Sequence, residues 1–490
     1  MHSYFESQPA ISCKPLVKAE KRACLYSVRR KADNKINMKS NYLFECKLDN
    51  DSLFILSLLT FDYEVLADDD VRLWNKSEFS EIKKYTALVN KKILLELEEE
   101  EQILTTFNSV INKKKKKAPH YVIYITDKCN QRCPYCFEGN EGVLRKIDSS
   151  MNKNQVDNIL NFIHGMNGSD MESPQITLFG GEPLLEENKD LVEYTLRKLK
   201  EYDFTNNVIV TNGITLNTYY EILSRYESIV SGLVLTINGL GDLHDNIRGS
   251  KSFDKIIANI KEILEKDIKI DIQINILVSQ DNICYLKNII EYLRNINIYG
   301  HPRVSINVGR IQCRTNPDNP HYKRELPYKD FFSSMIHYYS TDIFDYEAVT
   351  IGSEMGFLAD LIAHWKKNRI FVPSFSGCEA IYPGRLCFFL DGKIYPCTEV
   401  TGNNKYVVGD YNLGEFNQLY TTISSLDTSE YDKCKKCKYR LLCNGGCFVS
   451  GCEVNGKTGV PYCLDYETTL RNMVIELDRE GFFDEFGKDK

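Results

Sequence analysis

Between positions 121 and 308 the chain switches six times between two kinds of apolar pattern. Short, nearly continuous apolar runs at 121–126, 175–179, 207–211, 233–237, 268–278 and 303–308 have the length and β-branched content of buried strands. The stretches between them, among them 155–164, 190–202, 253–266 and 283–296, repeat their apolar positions at helical spacing and read as amphipathic helices. Strand followed by helix, repeated, predicts parallel strands joined by right-handed crossovers. The fold class expected is α/β: a partial (β/α)6 barrel of the TIM type over 119–370, with ligands collecting at the C-terminal ends of its strands.

The pattern differs on either side. Residues 1–40 show no sustained period and are expected to be loosely ordered. In 41–118 apolar runs at 42–44 and 53–59 precede a helical pattern at 93–107, which predicts a small α+β domain. The acidic run Glu98 to Glu101 suits a solvated helix face, with attraction of a basic peptide as the alternative. The block Lys113 to Lys117 reads as a linker, with nucleic-acid or membrane contact as its alternative. Helical signals return at 348–367, a cysteine-rich segment fills 371–470, and 471–490 reads as a C-terminal helix or tail.

Composition narrows the function. Of 490 residues 43% are hydrophobic and 26% charged, and the formal net charge is -7, an ordinary globular balance that argues against nucleic-acid binding as the main task. No run approaches the ~18–20 apolar residues of a membrane span, and the N-terminus lacks the apolar core of a signal peptide. Seventeen cysteines in so long a chain read as reduced metal ligands rather than disulfides, and a cytoplasmic protein is expected.

The first strand runs directly into Cys129-Asn130-Gln131-Arg132-Cys133-Pro134-Tyr135-Cys136. Three thiols on one short loop can hold three irons of a cubane and leave the fourth open to a chelating small molecule; a three-thiol zinc or redox loop is the alternative. Gly180-Gly181-Glu182-Pro183 follows the second strand, where two glycines permit close backbone approach and a carboxylate can accept from an ammonium. Thr211-Asn212-Gly213 ends the third strand and Thr236-Ile237-Asn238-Gly239 the fourth, followed by His244-Asp245-Asn246-Ile247-Arg248-Gly249 and Ser252-Phe253-Asp254.

This series resembles the radical S-adenosylmethionine superfamily, and in particular its peptide-modifying branch. The resemblance implies a 4Fe-4S cluster on Cys129, Cys133 and Cys136, and contacts to S-adenosylmethionine from Tyr135, Gly180, Gly181, Glu182, Asn212, Thr236, Asn238, Arg248 and Gln273. Two positions depart from the branch: Asn238 stands where Asp is usual and Gln273 where Arg is frequent, which leaves Arg248 as the cation for the cofactor's carboxylate. His244 is expected to be a surface or capping residue.

Nine cysteines lie between Cys378 and Cys463. Short spacings of this kind suit iron–sulfur clusters, with zinc ribbons as the alternative. Their order is similar to the SPASM domain, which implies two auxiliary 4Fe-4S clusters, a distal one on Cys434, Cys437, Cys443 and Cys463 and a nearer one on Cys378, Cys397 and Cys447. Where some relatives supply a fourth ligand to the nearer cluster this chain has Val372. Cys387 and Cys452 are spare thiols, either of which could substitute or be inert; with neither, one iron would be open to a substrate thiolate.

The resemblance implies three 4Fe-4S clusters and S-adenosylmethionine, a 5'-deoxyadenosyl radical, a precursor peptide with a leader as substrate and a flavodoxin- or ferredoxin-type electron donor. A Cys thioether crosslink is the expected product, and the domain at 41–112 is either a leader-holding module or a structural cap. Anaerobic sulfatase maturation is the enzymatic alternative, although those relatives place Asp where this chain has Thr398, followed by Glu399. A non-catalytic metal-binding or redox-sensing protein is the alternative from another class.

Overall fold

The computed structural model describes residues 37–114, 119–138, 148–166, 173–315, 322–340, 349–352, 356–367, 371, 378–381, 385–427, 431–443 and 445–483. The expectations for residues 1–36, for Lys115 to Lys117 and for Val372 lie outside them.

The N-terminal region contains β1 (Met38–Lys39), β2 (Leu43–Lys47), β3 (Leu53–Ser57), β4 (Tyr63–Leu66), α1 (Asp68–Asn75), α2 (Tyr85–Asn90), β5 (Leu94–Leu95) and α3 (Leu97–Lys114). Strands β2, β3 and β4 form an antiparallel sheet in that order, and β1 pairs with β5. Alternation along the strands divides the apolar side chains. Leu43, Ile55 and Leu66 form a small core with Trp74, Leu88 and Ile93, while Phe44, Cys46, Phe54 and Leu56 face the main core of the molecule. Helix α3 runs on to Lys114, so the first two lysines of the supposed linker are helical.

Seven parallel strands follow: β6 (His120–Thr126), β7 (Gln175–Gly180), β8 (Asn206–Val210), β9 (Val230–Thr236), β10 (Asp271–Val278), β11 (Val304–Arg310) and β12 (Val349–Ile351). The six expected strands appear within three residues of their anticipated ends. The seventh corrects the expectation of helix from 348 onward, since β12 precedes the helix there. Between the strands lie α4 (Lys153–Met166), α5 (Lys189–Glu201), α6 (Tyr220–Tyr226), α7 (Asp242–Arg248), α8 (Phe253–Glu265), α9 (Leu286–Asn295) and α10 (Tyr328–Ser340), and α11 (Gly356–Lys367) follows β12. All seven residues of β6 are buried, as a strand covered on both faces requires.

The C-terminal region joins the same sheet. Strand β13 (Arg385–Phe388) pairs in parallel with the far edge of β6, and β14 (Lys393–Tyr395), β15 (Gly409–Asp410) and β16 (Glu415–Phe416) continue it antiparallel. The result is one sheet of eleven strands. Helices α12 (Gln418–Ser424), α13 (Asp432–Lys435), α14 (Arg440–Cys443), α15 (Phe448–Asn455) and α16 (Tyr466–Arg479) complete the described chain.

The N-terminal sheet is anchored to α11 and the C-terminal end. The Phe54 ring lies 5.8 Å from Trp365 and 5.1 Å from Phe483, the Trp365 indole N–H donates to Phe61 O at 2.9 Å, and Arg479 pairs with Asp49 at 3.0 Å.

Candidate active site

Strand β6 ends where its backbone turns out of the sheet, and the three thiols follow. Cys129, Cys133 and Cys136 line a cavity of about 410 Å³ together with Gly180, Gly181, Glu182, Val210, Thr211, Asn212, Thr236, Glu138 and Arg248. These residues come from the ends of four successive parallel strands and from α7, so the topology assembles positions more than a hundred residues apart.

The glycines are explained by the thiol loop itself. A Cβ on Gly180, whose φ is +141°, would lie 2.0 Å from Thr126 O, and one on Gly181 would lie 2.3 Å from Lys128 O. Gly181 N donates to Thr126 O at 2.9 Å and Glu182 N to Lys128 O at 2.8 Å. The pair therefore clamps the cysteine loop to the end of β7, where the sequence suggested close approach to a ligand.

Glu182 is buried and joins two strand ends. Its carboxylate accepts from Leu184 N at 2.9 Å, the Thr211 hydroxyl at 2.6 Å and Asn212 N at 2.6 Å. Burial raises its pKa against these donors, which favour the charged form. The Asn212 side chain donates to Asn130 Oδ1 at 2.7 Å, tying the third strand's end to the thiol loop.

Tyr135, Asn238 and Gln273 are not among the residues lining the cavity. The Tyr135 hydroxyl accepts from Asn238 Nδ2 at 2.6 Å and from Arg248 Nη1 at 2.8 Å, so the aromatic of the thiol loop supports the guanidinium from behind. Asn238 Oδ1 accepts from Leu277 N at 3.0 Å, and Gln273 donates to Asn275 Oδ1 at 2.9 Å. His244 is fully buried, correcting its expected surface or capping place. Its Nδ1 accepts from Asn238 N at 3.2 Å, and its pKa is pushed down to about 3 by burial and then by Arg248. Sequence reasoning missed Gln131, which donates to the hydroxyls of Ser250 and Ser252 at 3.0 and 3.2 Å. It also missed Asp127, which accepts from Asp148 N and Ser149 N. Their only sequence signal is adjacency to the first thiol.

The donor set fits an iron–sulfur group. Burial pushes the Cys129 thiol up to about 11 and Cys136 to about 12, so these groups become thiolate ligands only against a strong positive charge such as a metal centre supplies. Among the described residues no three His, Cys, Asp or Glu side chains converge on one ion-sized point.

The C-terminal thiols fall into two groups. Cys378 donates to Cys447, which raises the first thiol and lowers the second, and Cys397 acts electrostatically on Cys378. Separately, Cys434 feels Cys463 and Cys437, and Cys443 feels Cys434 and Cys463, while burial raises Cys434 to about 11 and Cys443 to about 12. Cys387 is buried on β13 and Cys452 on α15; burial raises them to about 12 and about 11.

Fold and cavity define an α/β enzyme whose centre is a three-thiol loop at the C-terminal end of a parallel sheet. Residues 123–293 match the family model of the Radical SAM superfamily, so the chain contains a radical SAM domain, of a superfamily that binds S-adenosylmethionine and a 4Fe-4S cluster. The chain is 25% identical over 344 residues to a cysteine-type anaerobic sulfatase-maturating enzyme of Clostridium novyi (strain NT), covering 66% of this chain and 85% of that protein. The solved structure of anSMEcpe with bound AdoMet is similar with a TM-score of 0.56 at 17% identity, covering 74% of this chain and 95% of that one. Streptococcus suis SuiB bound to the precursor peptide SuiA is similar with a TM-score of 0.52 at 17% identity, covering 88% of this chain and 99% of SuiB. Positions 119–490 are 372 of 490 residues, or 76%, so the likeness to SuiB reaches into the N-terminal region. Among the described residues no helix is long and apolar enough to cross a membrane.

Proposed function

We propose that this enzyme oxidatively modifies a ribosomally made precursor peptide, forming a Cys thioether crosslink. The observation that carries the reading is the joint lining of one cavity by three thiols, the Glu182 carboxylate and the Arg248 guanidinium, with two further thiol groups in the C-terminal region. Cys129, Cys133 and Cys136 would hold a 4Fe-4S cluster. Cys434, Cys437, Cys443 and Cys463 would hold a distal auxiliary cluster in a SPASM-type domain, and Cys378, Cys397 and Cys447 a nearer one, its fourth position falling to Cys387, Cys452 or a substrate thiolate. The seven parallel strands support a partial barrel as the container.

When bound, a reduced cluster and S-adenosylmethionine together supply hydrogen abstraction through a 5'-deoxyadenosyl radical. This chain's residues bind and orient. Arg248 would bind the cofactor's carboxylate, held by Tyr135, itself held by Asn238, both acting as positioning residues. Glu182, Asn212, Thr236 and the backbone at Gly180 and Gly181, which line the cavity, would receive its amino and ribose groups, and Gln273 would support them through its bond to Asn275.

The N-terminal sheet would hold a leader peptide, and a flavodoxin- or ferredoxin-type protein in the cytoplasm would supply electrons. The outer edge of β4 is already occupied, because Lys91 and Lys84 donate to Tyr63 O and Val65 O at 2.7 and 2.9 Å and share Glu64. A leader bound here would use another face or displace those lysines. Sulfatase maturation is the second reading, favoured by the Clostridium novyi relative. Against it, the position after Cys397 is Thr398, a buried residue whose carbonyl accepts from Tyr124 at 3.2 Å.

The test is anaerobic. Protein reconstituted with iron and sulfide receives dithionite and S-adenosylmethionine, and 5'-deoxyadenosine is followed by mass-resolved chromatography, with Cys133→Ala as control. Formation by wild type alone supports the radical reading; equal formation by both proteins refutes it. With a cysteine-containing precursor, loss of two hydrogens indicates a crosslink, and exchange of the thiol for an aldehyde indicates sulfatase-type maturation.

A further inference from the structure

We infer that Gln131 sets the position of the Cys133 thiol against Arg248, so that the loop that would hold the cluster and the cation that would bind the S-adenosylmethionine carboxylate are placed as one unit. The inference rests on the cluster and cofactor reading above. Gln131 lies inside the thiol loop between Cys129 and Cys133, yet it is only 4% exposed. Its amide nitrogen donates to the hydroxyls of Ser250 and Ser252, on the turn between α7 and α8, at 3.0 and 3.2 Å. That orientation turns Oε1 the other way, 3.9 Å from Cys133 Sγ, and the same sulfur lies 3.5 Å from Arg248 O.

The turn that receives Gln131 is itself fixed. Asp245 Oδ1 accepts from Ser252 N at 2.8 Å and from Phe253 N at 3.0 Å, closing the start of α8 onto α7. His244 Nδ1 accepts from Asn238 N, and a backbone N–H can only donate, so the proton of the neutral ring is on Nε2 and goes to Ser252 Oγ at 3.3 Å. Ser252 Oγ therefore accepts from both the imidazole and the Gln131 amide, which fills its lone pairs, and its own proton goes to Ser250 O at 3.4 Å. The contact is close as well as polar: a Cβ on Gly249, whose φ is +66°, would lie 2.6 Å from Arg132 O. Arg248 precedes that glycine, so a residue lining the cavity has its backbone against the thiol loop. An apolar side chain at position 131 would leave the buried Ser252 hydroxyl short of a partner and free the loop to drift from Arg248.

The test uses the full chain reconstituted anaerobically with iron and sulfide and kept oxidised so that no cleavage occurs, with iron counted and equilibrium binding of S-adenosylmethionine measured. Gln131→Met keeps the length of the side chain and loses its amide; it should retain full iron and bind S-adenosylmethionine about tenfold more weakly. Ser252→Ala should do the same, and the double variant should lose no more than either alone. Arg248→Lys separates positioning from general loosening. A flexible ammonium finds the carboxylate without a fixed backbone, so adding Gln131→Met to that variant should cost less than about threefold. Unchanged affinity in either iron-loaded single variant, or the full loss repeated on the Arg248→Lys background, would overturn the inference. If one single variant fails to load iron, the other decides by the same criteria; failure of both would overturn the inference, because these residues would then hold the loop itself and not its spacing to Arg248. Wild-type protein that loads iron and binds no S-adenosylmethionine would overturn the cofactor reading instead.

Discussion

Gly181→Ala is the sharpest probe of the site, because the added methyl meets backbone and nothing flexible. The new Cβ would lie 2.3 Å from Lys128 O, 2.7 Å from Lys128 C and 2.8 Å from Asp127 O, against 3.4 Å where ordinary contact begins. The thiol loop would have to retreat by 1.1 Å, the difference between 3.4 and 2.3 Å, while the bonds from Gly181 N to Thr126 O and from Glu182 N to Lys128 O oppose the movement. Overpacking of this kind costs about 1–3 kcal/mol, which a chain of this size can bear and remain folded. The effect on chemistry is larger, since a misplacement of ~1 Å at a reacting centre costs roughly 10²-fold in rate. Melting temperature, bound iron and 5'-deoxyadenosine formation should be measured together. Gly165→Ala, on α4 with nothing within 4 Å of its Cβ, is the control and should leave bound iron and 5'-deoxyadenosine formation unchanged, with a melting temperature equal to or slightly above that of the wild type. A Gly181→Ala enzyme that cleaves S-adenosylmethionine at the wild-type rate would refute the clamp.

Three further outcomes follow from the same geometry. His244 stays neutral in the fold down to about pH 3 while its unfolded counterpart protonates near 6.5. Its presence therefore leaves stability untouched above pH 6.5 and removes about 2 kcal/mol by pH 5; denaturant titrations should show a weaker acid dependence in His244→Asn, and identical slopes would exclude the residue as the cause. Tyr135→Phe removes the acceptor shared by Asn238 and Arg248, which should cost about 1–3 kcal/mol and weaken equilibrium binding of S-adenosylmethionine; unaltered affinity would show that Arg248 needs no support. Cys463→Ala should lower reconstituted iron from about twelve to about eight per chain while 5'-deoxyadenosine formation persists, and full retention of iron would remove Cys463 from the distal group.

The strands were legible because most of their residues are buried and each reads as an apolar run, whereas β12 spans only three residues and carries no period of its own. The pairing of β13 with β6 had no local signal, since a strand arriving some 260 positions later is placed by tertiary packing. The same limit explains His244: nothing in a seven-residue helix announces that its ring will close the turn at Asn238. Motif spacing marked Gly180 and Gly181 as points of close approach to a ligand, whereas in the fold it is the backbone of the cysteine loop that lies against them. Tyr135 and Asn238 were singled out as cofactor contacts by their place in a motif, but neither lines the cavity, and the bonds of Tyr135 to Asn238 and Arg248 belong to three elements the chain brings together only on folding.

Strand β6 sets the geometry of two thiol groups at once. Its C-terminal end releases Cys129 into the loop, and its free edge receives β13, which carries Arg385 and Cys387 in register with His120 and Val122. Between them the buried Tyr124 on the same strand donates to Thr398 O at 3.2 Å and accepts from the Thr401 hydroxyl at 3.2 Å, beside Cys397. The separation of the first thiol loop from the nearer C-terminal group is thus fixed by sheet hydrogen bonds and one phenol, with no flexible linker in the path. A parallel pair admits no one-residue slip without turning every side chain to the opposite face, and Arg385, Cys387 and Tyr124 are all buried. Shape and register together hold that spacing, which a protein passing single electrons between the two sites would need to keep constant through turnover.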